Sequence, residues 1–225
     1  MRIARGMKLW LWLSIGAFLM GRGFGGAKEG EEEKPVPPPQ GAIVLFDGKD
    51  LNQWTNPKWR LVEGAMEVRG GSNRTKREFG DFHLHLEFWL PLMANRRGQG
   101  RANSGVYLHG LYEIQVLDSY HNPTYPTGQC AAIYGQKPPD KNVAKPPEHW
   151  QTFDIYFRAP RLGSEGKVKE KARVTVFWNG VKVHDNVEIK QSRPRTKGPI
   201  LLQDHGCPIR YRNIWIVAGA TMPAD

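Results

Sequence analysis

The segment Tyr112–Ser119 reads YEIQVLDS, and its apolar and polar residues alternate. The apolar positions 112, 114 and 116 enclose Glu113 and Gln115. Because successive side chains of a β-strand point to opposite faces, the pattern predicts a strand with one buried face and one hydrogen-bonding face. Glu113 and Gln115 are predicted to share the polar face, about 6–7 Å apart. The segment therefore predicts a functional surface on a β-sheet.

A second polar cluster, Gln203–His205, lies inside the run LLQDHG at residues 201–206. Strand alternation would place Gln203 and His205 on one face and Asp204 on the other, where Asp204 is predicted to bond to the backbone. Asp118 comes five residues after Glu113, so it faces the opposite side of the strand unless a one-residue bulge brings it round. Asp118 is therefore either structural or part of the site through a bulge.

The rest of the chain consists of short alternating runs separated by Gly, Pro, Asn and Asp, without a convincing amphipathic helix. In Phe82–Trp89 the alternation predicts an apolar inner face, with His83 and His85 on a solvated outer face. Asn179-Gly180 between two apolar runs is a strong hairpin signal. Many strands with short turns predict an all-β antiparallel sandwich or jelly roll. The predicted strands are Ile43–Phe46, Trp59–Val62, Ala65–Val68, Phe82–Trp89, Gly105–His109, Tyr112–Leu117, Gln151–Arg158, Ala172–Trp178, Val181–Glu188, Ile200–Asp204 and Ile209–Val217.

The N-terminal residues 1–27 have the pattern of a secretory signal peptide, with basic residues, a short apolar run and small residues ending at Ala27. The alternative is an uncleaved N-terminal anchor. Residues 28–41 are acidic and then proline-rich, which predicts a flexible to semi-extended tether. One folded domain is predicted over residues 42–218, followed by a tail over residues 219–225. We expect an exported protein, periplasmic or secreted, without stable membrane insertion after signal cleavage.

The formal net charge is +10, and removal of residues 1–27, which hold four basic residues and no acidic one, lowers it to +6. The remaining basic residues are scattered in loops without a recognisable nucleic-acid-binding motif, so we expect solvated loop charge and no nucleic-acid partner. Cys130 and Cys207 either form a disulfide, which an oxidising compartment allows, or remain free buried thiols.

Seven short motifs follow one another along the chain: Leu45–Trp54, Asp81–Leu84, Asn103–Leu108, Tyr112–Asp118, Ala132–Gly135, Gly198–Gly206 and Tyr211–Ile214. In this order they resemble the 3-keto-disaccharide hydrolase family, over about residues 43–216. The resemblance implies a concanavalin-like β-jelly roll. It also implies an exported bacterial protein that acts on glycosides already oxidised to a ketone at C3.

A ketone at C3 makes the C2 proton of the sugar acidic and leaves the glycosidic bond β to the developing enolate. Cleavage by β-elimination then needs a general base, a group that holds the enolate oxygen, and an acid for the leaving group. Glu113 and His205 are the predicted catalytic residues, His205 because histidine exchanges protons near neutral pH. The same two side chains are the predicted ligands of a divalent cation that would stabilise the enolate.

The predicted substrate contacts are Gln115, Asn103, Tyr107, Tyr134, Lys145 and Gln203. The two tyrosines could stack on a sugar ring, and Lys145 could supply positive charge to an oxyanion. Asn103 could instead only shape the turn before Gly105. A non-catalytic carbohydrate-binding module is the alternative function. An ordinary endo-glycosidase is disfavoured, because the strand of Glu113 lacks the second glutamate that such enzymes pair with the first.

Overall fold

The computed structural model describes residues 34–223, which contain fourteen β-strands and two short 3-10 turns. The predicted signal peptide, residues 1–27, lies outside the described residues. Within residues 34–223, no helix has the length and apolar character that a membrane crossing requires. The strands are β1 (Ile43–Phe46), β2 (Arg60–Val62), β3 (Ala65–Glu67), β4 (Asn73–Arg74), β5 (Phe82–Trp89), β6 (Asn103–Leu108), β7 (Tyr112–Leu117), β8 (Trp150–Arg158), β9 (Arg161–Leu162), β10 (Val168–Glu170), β11 (Arg173–Trp178), β12 (Val181–Glu188), β13 (Leu201–Leu202) and β14 (Arg210–Ala218).

Two antiparallel sheets form the two layers of a sandwich. The larger sheet has the order β12-β11-β8-β5-β14-β3-β2, with β1 also paired to β14. The smaller sheet has the order β4-β13-β6-β7, and β9 and β10 form a separate hairpin. The predicted all-β jelly-roll sandwich is therefore confirmed.

The core lies between the inner faces of the two sheets. Strand β5 contributes its alternate apolar side chains, from Phe82 to Phe88, all fully buried, and β7 contributes Ile114 and Val116. Burying one such side chain stabilises the fold by about 1.5–3 kcal/mol. A hydrogen bond of 2.7 Å between the hydroxyls of Ser104 and Tyr211 also joins β6 of the smaller sheet to β14 of the larger sheet.

The β11–β12 hairpin confirms the Asn179-Gly180 turn signal. Asn179 has a φ of 51° and Gly180 has a φ of 76°, which are the two positive values that a type I′ turn requires. The Asn179 side chain also holds neighbouring segments, because it accepts from the Thr152 N–H at 2.9 Å and donates to the Val143 carbonyl at 2.8 Å.

Two features of the segment after residue 200 differ from expectation. Strand β13 spans only Leu201–Leu202, so the period-2 alternation does not extend through residues 203–205. Cys130 and Cys207 are both free and buried, so the disulfide alternative is wrong. The Cys207 thiol lies 3.9 Å from the Met93 sulfur instead.

The outer face of β5 is not solvated at His85, contrary to expectation. His85 is fully buried, and its ring stacks on Trp215 with centroids 4.8 Å apart. His83 stacks on Tyr156 at 4.0 Å. The two histidines share Asp154, whose Oδ1 lies 2.9 Å from His83 Nε2 and 3.0 Å from His85 Nδ1. The alternation correctly predicted which face these side chains occupy, but other side chains cover that face.

The end of the tether also lies on this outer face. The Val36 N–H donates to Glu87 Oε1 at 3.1 Å, and the Val36 carbonyl accepts from Asn213 Nδ2 at 2.7 Å and from Trp215 Nε1 at 3.3 Å. Both backbone polar groups of Val36 are thus hydrogen-bonded, so the tether is anchored at this residue.

Candidate functional site

The site is built on the outer face of the smaller sheet, where β6 and β7 pair in continuous register. Tyr107 lies directly opposite Glu113 in this pair, so both side chains point to the same face. The Tyr107 hydroxyl donates a hydrogen bond of 2.8 Å to Glu113 Oε2. The polar face that the sequence predicted for Glu113 is therefore occupied by a paired carboxylate and phenol.

Gly105 makes room for the Glu113 carboxylate. A Cβ atom at position 105 would lie 2.4 Å from Glu113 Oε1 and 3.0 Å from the Tyr107 ring. Real Cβ atoms do not approach other heavy atoms so closely, so any other residue would push both side chains away. The carboxylate can lie flat against the sheet only because the strand carries glycine here.

Gln203 extends the hydrogen-bonded chain by one residue. Its backbone N–H donates to the Gly105 carbonyl at 2.9 Å, which keeps the segment after β13 alongside β6. Its side-chain Nε2 donates to the Tyr107 hydroxyl at 3.2 Å. Gln203 Oε1 is buried without a hydrogen-bond partner. The Gln203 amide therefore positions the Tyr107 hydroxyl from a buried place beside β6.

The buried side-chain amide of Gln115 lies between two pairs of acceptors. One end is 2.8 Å from the Ser104 carbonyl and 3.2 Å from Glu113 Oε1. The other end is 3.0 Å from Gln99 Oε1 and 3.3 Å from the Gly128 carbonyl. With its nitrogen turned toward Ser104 and Glu113, the amide donates to both and leaves its oxygen facing Gln99. In this orientation Gln115 stabilises the ionised form of the Glu113 carboxyl.

Burial acts on Glu113 in the opposite direction. Burial raises the pKa of the Glu113 carboxyl above its ordinary value, while the hydrogen bond from Tyr107 opposes this rise. Burial and the nearby Glu113 charge raise the pKa of the Tyr107 hydroxyl, which therefore keeps its proton at neutral pH. A carboxyl group whose pKa is shifted toward neutrality is suited to accept and return protons.

A cavity of about 290 Å³ opens beside Glu113. Its lining includes Tyr107, Leu111, Glu113, Tyr134, Ile189 and Lys190. Tyr134 lies next to Glu113, because its backbone N–H donates to the Glu113 carbonyl at 3.1 Å. The hydroxyls of Tyr134 and Tyr125 lie 2.7 Å apart, which fixes the exposed Tyr134 ring at the rim.

Asn103 and Asp118 hydrogen-bond to residues near the site and not to Glu113. Asn103 is buried and donates to Gln99, both to its backbone carbonyl at 3.1 Å and to its Oε1 at 3.2 Å. Asp118 is buried and accepts from Arg101 Nη1 at 3.1 Å and from the Tyr120 N–H at 3.2 Å. Strand β7 has no bulge that would bring Asp118 round to Glu113, so the structural interpretation of Asp118 holds.

The other predicted residues contact groups other than the Glu113 carboxylate. Asp204 accepts from the Gly71 N–H at 2.7 Å and the Gly206 N–H at 2.8 Å, as expected for a residue that bonds to the backbone. His205 is exposed in the loop after β13, and no hydrogen bond or ion pair joins it to Glu113 within the described residues. Lys145 donates from Nζ to the Trp150 carbonyl at 3.1 Å, at the start of β8.

The predicted cation ligands, Glu113 and His205, stay a prediction. Within residues 34–223, no group of three or more His, Cys, Asp or Glu side chains is placed to hold a metal ion. Around Glu113 the available groups are the Tyr107 phenol and the neutral amides of Gln115 and Gln203.

The comparisons with known proteins agree with this geometry. Residues 41–217 match the model of the family described as the 3-keto-alpha-glucoside-1,2-lyase-like domain. The chain belongs to this family. No curated protein matches the chain.

Two crystal structures from Parabacteroides distasonis ATCC 8503 resemble this family member along most of its length. One candidate glycosyl hydrolase is 37% identical, with a TM-score of 0.74, over 88% of this chain and 99% of its own. A second is 27% identical, with a TM-score of 0.58, over 78% of this chain and 98% of its own. Together the matches indicate a glycosyl hydrolase-like, carbohydrate-active protein.

Three residues of this family member's site were not predicted from the sequence. Gly105 in the middle of a strand is a signal of close approach that could have been used. Gln99 and Leu111 lie outside any strand, and nothing in their local pattern indicated that they would contribute to the site. Gln99 reaches the site through the loop before β6, and Leu111 through the β6–β7 turn.

Proposed function

We propose that the protein is an enzyme that cleaves 3-keto-glycosides by β-elimination and rehydration, with Glu113 as the general base. The observation that carries the proposal is the hydrogen-bonded chain from Gln203 through Tyr107 to a half-buried Glu113 carboxyl at the edge of a cavity. Membership of the 3-keto-alpha-glucoside-1,2-lyase-like family supports the choice of substrate.

The reaction needs a base whose pKa lies close to the pH at which the enzyme works. Glu113 meets this need, because burial raises the pKa of its carboxyl while Tyr107 still stabilises the ionised form. Tyr107 also fixes the direction of the carboxylate, because its hydroxyl donates to only one of the two oxygens. Gly105 leaves the other oxygen close to the sheet surface.

In the proposed first step, Glu113 takes the proton from C2, and the electron pair of the broken C2–H bond forms the enolate at C2, C3 and the C3 oxygen. The enolate then collapses, which forms a C1–C2 double bond, restores the ketone and breaks the bond between C1 and the aglycone oxygen. The aglycone oxygen takes up a proton as it leaves. Water then adds at C1 and C2 regains a proton, so the net change is hydrolysis.

Gln203 and Tyr134 are proposed to help hold the substrate during these steps. Gln203 keeps the Tyr107 hydroxyl in place, and the Tyr134 ring offers an aromatic face at the rim of the cavity. His205 stays a prediction as a second proton-transfer group. We also propose export, on the basis of the signal-peptide pattern of residues 1–27.

The test compares aglycone release from a 3-keto-glucoside and from the same glucoside without the ketone. We expect release from the oxidised substrate only, and we expect Glu113→Gln to abolish it. If His205 transfers a proton, as the sequence predicts, His205→Ala should abolish release as well. Glu165→Gln, at an exposed glutamate of the β9–β10 hairpin, is the matched control. Binding of unmodified glycans without cleavage of any oxidised substrate would instead indicate a carbohydrate-binding module.

A further inference from the structure

The cavity beside Glu113 has an apolar rim that takes no part in the proposed bond-making and bond-breaking steps. Leu111 and Tyr134 both line the cavity, and they are 40% and 45% exposed. Ile133 and Ile189 also line it but are almost fully buried, so they form its floor rather than its rim. Two exposed apolar side chains thus share a cavity with a half-buried carboxylate.

Both rim residues are held in place by the backbone around Glu113. Leu111 follows the tight β6–β7 turn, where His109 and Gly110 have φ values of 56° and 66°, and its N–H donates to the Leu108 carbonyl at 3.0 Å. Tyr134 is fixed by its backbone bond to Glu113 and by its hydroxyl contact with Tyr125. The rim is therefore preformed, which lowers the entropic cost of binding a ligand there.

The cavity is lined by two chemically different groups of side chains. Tyr107, Glu113, Gln136 and Lys190 are polar, whereas Leu111 and the Tyr134 ring are apolar. A sugar ring carries hydroxyls on most of its carbons, and a hydroxyl placed against Leu111 would lose water without gaining a partner. A flat apolar group can bury its surface against Leu111 and pack on the aromatic ring of Tyr134 without that cost.

The size of the cavity also limits the ligand. Its volume of about 290 Å³ lies at the lower end of the range for small-molecule pockets, roughly 300–1,000 Å³. A cavity of this size suits a sugar ring with one further small group at most, rather than several units of a polysaccharide.

We propose that this cavity selects 3-keto-glycosides whose aglycone is aromatic or otherwise apolar. The aglycone lies between Leu111 and Tyr134, and the oxidised sugar ring lies against Glu113 and Tyr107. This inference rests on the proposed function for the identity of the oxidised sugar, but the apolar subsite itself can be tested without turnover.

The kinetic test uses two substrates with the same 3-keto-glucosyl group, one with a phenyl aglycone and one with a second glucose. We expect kcat/KM to favour the phenyl substrate by about tenfold, and we expect Leu111→Asn to remove most of that preference. The matched control is Leu92→Asn, at a leucine that is 55% exposed and does not line the cavity. Equal kcat/KM values for the two substrates, unchanged in Leu111→Asn, would overturn the inference and leave the proposed function intact.

The binding test uses phenyl glucoside without the ketone, observed by saturation-transfer NMR on the full chain. We expect the phenyl protons to receive saturation from the wild-type protein and from Leu92→Asn, and to receive much less from Leu111→Asn. If no oxidised substrate is cleaved but this Leu111-dependent binding is seen, the proposed function fails and the apolar subsite stands. Absence of phenyl contact in the wild-type protein would overturn the inference.

Discussion

The Tyr107 hydroxyl donates to Glu113 Oε2 at 2.8 Å across the paired strands β6 and β7. This hydrogen bond stabilises the ionised carboxylate, whereas burial destabilises it. The balance between the two effects decides the pH at which Glu113 can act as a base, and it can be changed by a single atom.

Removing that hydroxyl should shift the pH dependence of activity. In Tyr107→Phe the carboxylate loses a hydrogen bond, so the pKa of Glu113 should rise further. The acidic limb of the pH–rate profile should therefore move to higher pH, and the rate at the alkaline plateau should change less. Tyr125→Phe, whose hydroxyl bonds to Tyr134 and not to Glu113, serves as the control. An acidic limb that stays in place would show that this limb does not report Glu113.

Gly105→Ala should disrupt the site more than the fold. The added Cβ would lie 2.4 Å from Glu113 Oε1, so the carboxylate must move away from Tyr107. We expect kcat/KM to fall by about 10²-fold and the free energy of unfolding to fall by about 1–3 kcal/mol. Gly100→Ala, at a glycine with open space around it, should leave both quantities nearly unchanged. Wild-type activity in Gly105→Ala would contradict the proposed position of the carboxylate.

How much of this site the sequence could predict depends on distance along the chain. The alternation in β7 correctly placed Glu113 and Gln115 on one face, because a strand has a fixed period. The pairing of Gln203 with Tyr107 joins residues 96 positions apart, which no local pattern encodes. The predicted alternation through His205 failed because β13 ends at Leu202, after which Asp204 bonds to Gly71 and turns the loop.

The outer face of the larger sheet shows the same limit. Period 2 placed His83 and His85 on that face, but it could not show that Trp215 and Asp154 would enclose His85. A strand pattern predicts which way a side chain points. What covers the side chain is decided by other strands, here β8 and β14.

The His85–Asp154 pair should make stability depend on pH. Burial raises the pKa of Asp154, but hydrogen bonds from His83 and His85 outweigh it and lower this pKa to about 2. Asp154 therefore stabilises the fold above pH about 3.8 and loses this effect as the pH falls toward 2. The pKa of His85 is raised by Asp154 and Glu87 despite burial, so its contribution is present below pH about 6.5 and is lost as pH rises through the folded-state value. Asp154→Asn should therefore destabilise the protein most between about pH 4 and 6.5.

Urea unfolding at a series of pH values measures this difference. The control is Asp185→Asn, at an exposed aspartate that pairs with Lys182. We expect the control to change stability little at any pH, because exposed ion pairs contribute little. A destabilisation by Asp154→Asn that is constant from pH 4 to pH 9 would contradict the assigned charge pairing.

The contact of the tether with the larger sheet should stabilise the domain. A chain that begins at Lys34 keeps the three hydrogen bonds of Val36, whereas one that begins at Gln40 loses them. Because Val36 is 45% exposed, we expect the shorter chain to be less stable by only roughly 1–2 kcal/mol. Tryptophan fluorescence should also shift to longer wavelength as Trp215 meets water. Identical unfolding curves for the two chains would show that the contact contributes nothing.

The most direct test of the proposed mechanism is the rate of cleavage of a 3-keto-glucoside that carries deuterium at C2. If Glu113 removes the C2 proton, the wild-type protein should cleave the deuterated substrate several-fold more slowly, and Glu113→Gln should lower kcat/KM by about 10³-fold or more. Equal rates for the two isotopic substrates, together with activity retained in Glu113→Gln, would contradict the account.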